Sequence, residues 1–386
     1  MIPSSSLSRE TVVAWTQRFV RFPSELTPAL EAGSAVQSFI KDCVWPLIDE
    51  SHLPGRLDSM GNLIIEVGPT GLQPAVAIVA YAMTHPRAGM EAAFNGELIG
   101  SATGPSIRGR GVSEQKAAMG ASLAAFADVA RLGDIKRPLV WILLTAGETG
   151  RHDAIATALS TLPIVPRRAV LAVGTNGKIL IGHRGRLDVE LVIRGRPSHS
   201  STPWLGVNAI DGVRDVLIRV AARSRELAKH AQLGPASLVC TKIETGPDAT
   251  HTVQGWARMV LDRRLLPAES PDRVFDELSA ALKLDPPLEV ELLRGAFMHG
   301  HAIDTGAEIL QSIAGALRAA GRPVPSIEYS SGALDAGYLQ NLGVEAIMWG
   351  PGDPVQFHTD EESVLIAELL DMAESYRAAL TQFAFE

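Results

Sequence analysis

The chain has 386 residues, 46% of them apolar, and a formal net charge of −8, so it can bury a sizeable core and its length favours two domains over one. The acidic balance and the lack of any Lys/Arg run longer than a pair exclude a nucleic-acid or anionic-membrane surface, which leaves a small molecule or peptide as the expected partner. Cys43 and Cys240 lack disulfide or CxxC spacing and read as unpaired core thiols; no leader and no apolar stretch of about 18 residues is found, which makes the cytoplasm the default location.

Taken in chain order, the first half alternates short apolar runs with longer helical patterns. SAVQSFIKDCVWPLIDE (34–50) and SEQKAAMGASLAAFADVARL (113–132) space their apolar residues as helices. GNLIIEV (61–67), AVAIVAYAM (75–83), LVWILLTA (139–146) and AVLAVGT (169–175) read as strands. This alternation predicts an α/β domain with a mostly parallel sheet covered by helices, in which ligands sit beyond the carboxyl ends of the strands. Tyr81 to His85, Gly147 to Asp153 and Gly174 to Asn176 are therefore the segments to watch.

From Arg186 the pattern changes to DVELVIRG, a Pro/Ser/His turn, the helix AIDGVRDVLIRVAARSRELA, the strands SLVCTKIET and WARMVLDRRLL, the helix SPDRVFDELSAALK and the strand LEVELL. That order is the split βαβ unit, an α+β domain inserted over residues 186–295. Residues 1–185 and 296–386 then form one discontinuous domain. Near its end, His358 follows the Pro/Gly turn WGPGDPVQ with Asp360 and Glu361 beside it, a place where an imidazole can be handed to a metal.

The ordered set GRGVSEQK, LLTAGETG, GHRGRLDVELVIRGRPSHSSTPWLGVNAI, VLDRRLLP, SSGALDAGYL and WGPGDPVQFHTDEE resembles the dizinc hydrolases that include acetylornithine deacetylase, succinyl-diaminopimelate desuccinylase, aminoacylase and glutamate carboxypeptidase. The resemblance spans nearly the whole chain. It implies a catalytic metal-binding domain, an inserted dimerisation (lid) domain, hydrolysis of a C–N bond, and a homodimer. Carried over by position, it also marks departures. The family's HxD motif, whose His binds the first metal, falls on Tyr81 and Met83, which cannot do that work. The Asp that bridges two metals is Glu114, one methylene longer. The paired EE motif, base then second-metal ligand, becomes Gly147 and Glu148. The acid expected after AVLAV has no counterpart in Val173-Gly174-Thr175, and His358 matches the last ligand of the second metal.

Sorted by metal, the first site has lost its exclusive ligands, while Glu114, Glu148 and His358 complete the second. The resemblance thus implies one divalent metal ion per chain, and two carboxylates with one imidazole suit Zn²⁺, Mn²⁺ or Fe²⁺ equally. His199 matches the family histidine that polarises the substrate carbonyl, and Arg264 the arginine that clamps a substrate carboxylate. His251 stands where the family often has Asn and implies altered substrate contacts; Arg263 is expected on the solvated face, and Asn208 at a helix start. With the base at 147 gone, His85 is the leading replacement, with Tyr81 offering a phenol hydrogen bond and His152 and Asp153 as further candidates. Two other readings stay open: hydrolytic deamination or ring-amide opening of an activated aromatic or cyclic substrate, and a catalytically silent ligand-binding homologue. A dinuclear centre using His85 as a ligand is a third.

Overall fold

The computed structural model of the protein describes residues 7–27, 33–101, 103–147, 151–330 and 332–386. The chain divides into two compact units, one comprising Met1–Ile181, Ile303–Glu328 and Tyr338–Glu386, the other Gly182–Ala302 and Tyr329–Gly337.

In the first unit the wholly apolar runs become buried strands. Val76–Tyr81 and Leu139–Leu144 are buried at every residue, as strands covered on both faces must be. The order across the sheet is Gly55–Leu57, Leu63–Val67, Leu139–Leu144, Val76–Tyr81, Arg168–Leu171, Glu345–Met348 and Ile179–His183. The strands from Leu139–Leu144 to Glu345–Met348 run parallel, as the alternation of strand and helix predicts. The flanking pairs are antiparallel; at the outer edge Leu57 returns to Leu63 through a short turn in which Asp58 Oδ1 accepts from the amides of Met60 and Asn62.

Two long helices, Ala117–Arg131 and Ile366–Phe385, pack against each other and the sheet. Ala117–Arg131 is buried along nearly its whole length, which its run of Ala and Gly permits. At Gly120 an added Cβ would lie 2.3 Å from Thr16 Oγ1 of the helix Arg9–Arg21, so these two helices meet almost backbone to backbone. No described helix is long and apolar enough to cross a membrane.

A small antiparallel sheet, Ser363–Leu365, Gly104–Arg108 and Glu97–Ser101, is the part of this unit that positions the site. The apolar pattern did not reveal it. Its strands are short, and Gly and Pro interrupt them.

The second unit has the expected order of strand, helix, strand, strand, helix, strand. Its sheet runs Ser237–Gly246, Trp256–Leu265, Gly185–Arg194, Glu289–Met298, all antiparallel. Along Gly185–Arg194 the residues Leu187, Val189, Leu191 and Ile193 face a core shared with Val213 and Val216 of the helix Ala209–Glu226 and Leu278 of Pro271–Ala281. Asn208 caps the first of these helices, accepting from the amide of Ile210 at 3.2 Å, the structural role read for it.

One expectation is corrected here and another refined. Arg263 is buried, with 2% of its surface exposed, because period-two alternation puts it in phase with Ala257, Met259 and Leu261 on the core side. Glu269 compensates by pairing with its guanidinium. Cys240 is only part-buried, at the margin of the second unit's core; Cys43 is buried, and burial pushes its thiol pKa up. Both are free.

Candidate metal centre

Two chain segments meet at the small sheet. Ser363 pairs with Arg108 and Val364 with Ile107, so the loop that ends in Glu362 and the turn that begins at Gly109 leave neighbouring strand ends. The turn needs its glycines: Gly109 and Gly111 have φ of 154° and 75°, and a Cβ at Gly111 would lie 2.4 Å from Thr84 Cγ2. It leads into a π-helical turn, Val112–Lys116, that opens Ala117–Arg131 and points Glu114 inward.

Glu114 is 4% exposed. Its Oε1 lies 3.0 Å from His358 Nε2, while its Oε2 is buried without a hydrogen-bond partner among the described residues. A buried carboxylate oxygen with no donor is strongly disfavoured unless something positive meets it. A divalent cation held by this carboxylate and the adjacent imidazole meets that need, so the pair fits a metal. His358 sits at φ 64° and is half-exposed, and its ring stacks on His85 with centroids 4.0 Å apart and planes 18° apart. His85 Nδ1 faces the carbonyl of Pro86 at 3.1 Å. Only an N–H can approach a carbonyl oxygen so closely, so Nδ1 carries a proton, and in the neutral ring Nε2 holds the lone pair.

Of the expected ligand trio the structure thus brings together Glu114 and His358. Glu148 lies outside the described residues, and among those described no group of three His, Cys, Asp or Glu forms a metal cluster.

The positions that the resemblance assigns to a first metal are closely packed. Tyr81, the last residue of Val76–Tyr81, is 1% exposed, and its ring lies against Gly147: a Cβ there would fall 2.2 Å from Tyr81 Cδ1. The parallel register that sets Tyr81 beside Leu144 makes this contact. At Gly174 a Cβ would fall 2.1 Å from the carbonyl oxygen of Ser113 and 2.9 Å from Phe357. The Gly174 amide donates to Glu114 O at 2.8 Å, and Thr175 Oγ1 is tied to the backbone of Gly350. His152, buried at φ 58°, stacks on Tyr338, and Asp153 is exposed where Asp153–Ser160 begins.

Sequence reasoning missed Arg110 and Glu362, both fully buried and paired at 3.2 Å. Burial pushes the Glu362 carboxyl above its ordinary range; the backbone amides of Gly111 and Glu114 oppose that, the Glu114 charge adds to it, and Arg110 opposes it. Glu362 is one of several acids after His358, and nothing local distinguishes it from exposed Asp360 and Glu361.

In the second unit, His199 lies on Ser198–His199, paired with Thr252–Val253. Its Nδ1 accepts from the amide of Ser201 at 3.1 Å and lies 2.7 Å from Ser201 Oγ, so the neutral ring carries its proton on exposed Nε2. The Ser200 amide donates to His251 O at 2.9 Å, which puts both histidines on one ribbon. Arg264 lies on the outer face of its sheet, its Nε and Nη2 bonded to Asp262 at 2.9 and 3.1 Å. Asp262 also faces Arg186.

The family described as "Peptidase dimerisation domain" matches residues 181–287. Succinyl-diaminopimelate desuccinylase of Corynebacterium glutamicum is 23% identical over 375 residues, covering 96% of each chain. An M20 family metallo-carboxypeptidase from Sulfolobus solfataricus shares the fold with a TM-score of 0.77 at 16% identity, over 97% of this chain and 99% of that one. A Bacillus subtilis protein described as a dinuclear metal binding peptidase of the M20 family superposes with a TM-score of 0.66 at 12% identity, over 98% of this chain and 99% of that one.

Proposed function

We propose that this chain, which belongs to the M20 peptidase family of metal-dependent hydrolases, cleaves a C–N amide bond in a small carboxylate-bearing substrate using one divalent ion. The observation that carries the single-ion reading is the contrast between two neighbouring sets of positions. Those of the first metal are closed by the Tyr81 ring and the Ser113 carbonyl, while Glu114, beside His358, has a buried oxygen that meets no donor among the described residues.

Glu114 and His358 would hold the ion, with Glu148 as the third ligand, and Zn²⁺, Mn²⁺ and Fe²⁺ all suit that set. When bound, the ion supplies Lewis-acid activation of a water and of the scissile carbonyl. His85, stacked on His358 with its Nε2 lone pair unengaged by the Pro86 contact, accepts the water's proton in place of the base lost at Gly147. Tyr81 is buried against Gly147 and acts by filling the vacated space. His199 presents Nε2–H, the tautomer an oxyanion donor requires. Arg264 is held in plane by Asp262, leaving Nη1 for a substrate carboxylate, with His251 on the His199 ribbon shaping the remaining contacts. The second unit pairs two copies as a homodimer. Two free thiols suit a reducing compartment, and we place the protein in the cytoplasm.

Metal analysis of the purified protein tests this reading. One ion per chain, lost in His358→Ala, is expected; two per chain would overturn the single-ion centre, and none would overturn the enzyme. Glu148→Gln tests the third ligand: loss of the ion is expected, and an ion retained at full occupancy would overturn that role. Screening N-acyl amino acids, amides and cyclic amides with the loaded enzyme then defines the substrate class.

A further inference from the structure

We infer that the buried Arg110–Glu362 pair is the positioning element of the metal centre, fixing the three loops that carry Glu114, His358 and His85 from one point; this rests on the reading of Glu114 and His358 as ligands. The Glu362 carboxylate is saturated by donors from a single turn. Oε2 accepts from the Gly111 amide at 2.8 Å and from Arg110 Nη1 at 3.2 Å; Oε1 accepts from the amides of Ser113 at 3.0 Å and Glu114 at 3.1 Å. The last of these is the amide of the ligand residue itself, so the backbone that aims Glu114 is set by Glu362.

Arg110 extends the tie to the other two loops. Its Nη1 also donates to the carbonyl of Thr359, next to His358, at 2.9 Å, and its Nη2 donates to the carbonyl of Arg87, two residues past His85, at 2.9 Å. One planar guanidinium therefore reaches the His358 loop, the His85 loop and, through Glu362, the Glu114 turn. Neither side chain of the pair is exposed, so neither touches substrate and the effect must pass through the ligands they hold. An ion pair serving the fold alone has no reason to converge on these three backbones. Groups that orient metal ligands typically change metal affinity by about 10- to 100-fold when altered.

The variants are Glu362→Gln and Arg110→Lys. Gln keeps the volume, but its NH₂ would face two backbone donors that now meet carboxylate oxygens. Lys keeps the charge but lacks the fork that reaches several acceptors at once. Metal-free protein is titrated with Co²⁺, following the visible absorption of the bound ion, with circular dichroism confirming the fold. Glu362→Gln is expected to weaken Co²⁺ binding about 10- to 100-fold and to shift the visible bands of the saturated complex, a signature that mere loss of stability would not move. Arg110→Lys is expected to shift the bands in the same sense, and it carries the test if Glu362→Gln does not fold. Unchanged affinity and bands in both variants, with binding abolished in Glu114→Ala, overturn the positioning role and leave the metal centre standing. Full Co²⁺ binding in Glu114→Ala overturns the centre and the positioning role together.

Discussion

The contact between Tyr81 and Gly147 gives the sharpest test of the claim that the first metal site is closed by packing. A Cβ at position 147 would lie 2.2, 2.4 and 2.9 Å from Cδ1, Cε1 and Cγ of Tyr81. Carbon atoms rest about 3.5–4.0 Å apart, so in Gly147→Ala the ring would have to withdraw by roughly 1 Å or more. Tyr81 is 1% exposed and has nowhere to withdraw to. The expected loss is about 1–3 kcal/mol, the range for overpacking a filled core. Gly147 has no positive φ, so the backbone adds no strain of its own. Tyr81→Ala alone should cost about 3–5 kcal/mol, as other large aromatic truncations do. In the double variant the clash disappears, so the two effects should fall short of additivity by about 1–3 kcal/mol. Urea unfolding in EDTA measures all four proteins without metal linkage. If Gly147→Ala lies within about 0.5 kcal/mol of wild type, or the two changes add within that margin, the ring does not fill the space and the closed-site argument fails.

Gly174→Ala should be worse than Gly147→Ala and should also weaken metal binding, because the atom 2.1 Å away is the Ser113 backbone carbonyl next to Glu114, which cannot rotate aside; thermal unfolding and metal analysis read the two effects. EDTA should lower the melting temperature of loaded wild type, by the equivalent of about 2.7 kcal/mol when free metal stands at 100 times Kd, and should leave Glu114→Ala and His358→Ala unmoved; an equal shift in those variants would dissociate the ligands from the metal. Glu269→Ala, which strands buried Arg263, should cost about 3–5 kcal/mol, whereas Arg264→Ala, on the half-exposed face, should cost no more than about 1 kcal/mol and raise KM for a carboxylate substrate; the reverse order by urea unfolding would mean the faces are misassigned. Burial, followed by Asp353, raises the Glu368 pKa, opposed by the Gly352 amide. Its protonated form is therefore favoured in the fold. Stability should fall as pH rises from the unfolded to the folded carboxyl pKa and then level, and Glu368→Gln should gain on wild type as pH rises through the carboxyl range; a difference that stays constant as pH rises would sink this assignment.

Much of the architecture was legible because its signals are local or periodic. Six-residue apolar runs such as VAIVAY and LVWILL have one stable place, the middle of a covered sheet, and the alternation in RLDVELVIR assigns both faces of the second unit's sheet. Glu114 and His358 were legible as types at marked positions, but their 3.0 Å contact is created by the pairing of Ser363–Leu365 with Gly104–Arg108, a register between segments some 250 residues apart in the same pairing. Arg263 was placed on the wrong face because two adjacent arginines offer no local clue to phase, and a buried guanidinium depends on a partner, Glu269, outside the strand. Glu362 was invisible for a related reason. Acids usually stay in water, and only the convergence of Gly111, Ser113, Glu114 and Arg110 on one carboxylate makes its burial tolerable.

The packing around these residues bears on the proposal that the first-metal positions hold no ion. Ligands shed by drift alone would leave polar stumps or a void, and voids in a close-packed interior are unfavourable in proportion to their volume. Here the space beside Gly147 is filled by a phenol ring and that beside Gly174 by a backbone carbonyl. The same preference for a satisfied interior disfavours Glu114, whose buried Oε2 meets no donor among the described residues and where Gln or Leu would be tolerated more readily. Position 114 instead carries a carboxylate with an imidazole 3.0 Å from it, and the buried Arg110–Glu362 pair is bonded to the backbone of both loops. Local stability is commonly given up where a site binds something. Under the single-ion reading proposed above, a closed first half and an electrostatically incomplete second half together require that the second half be filled.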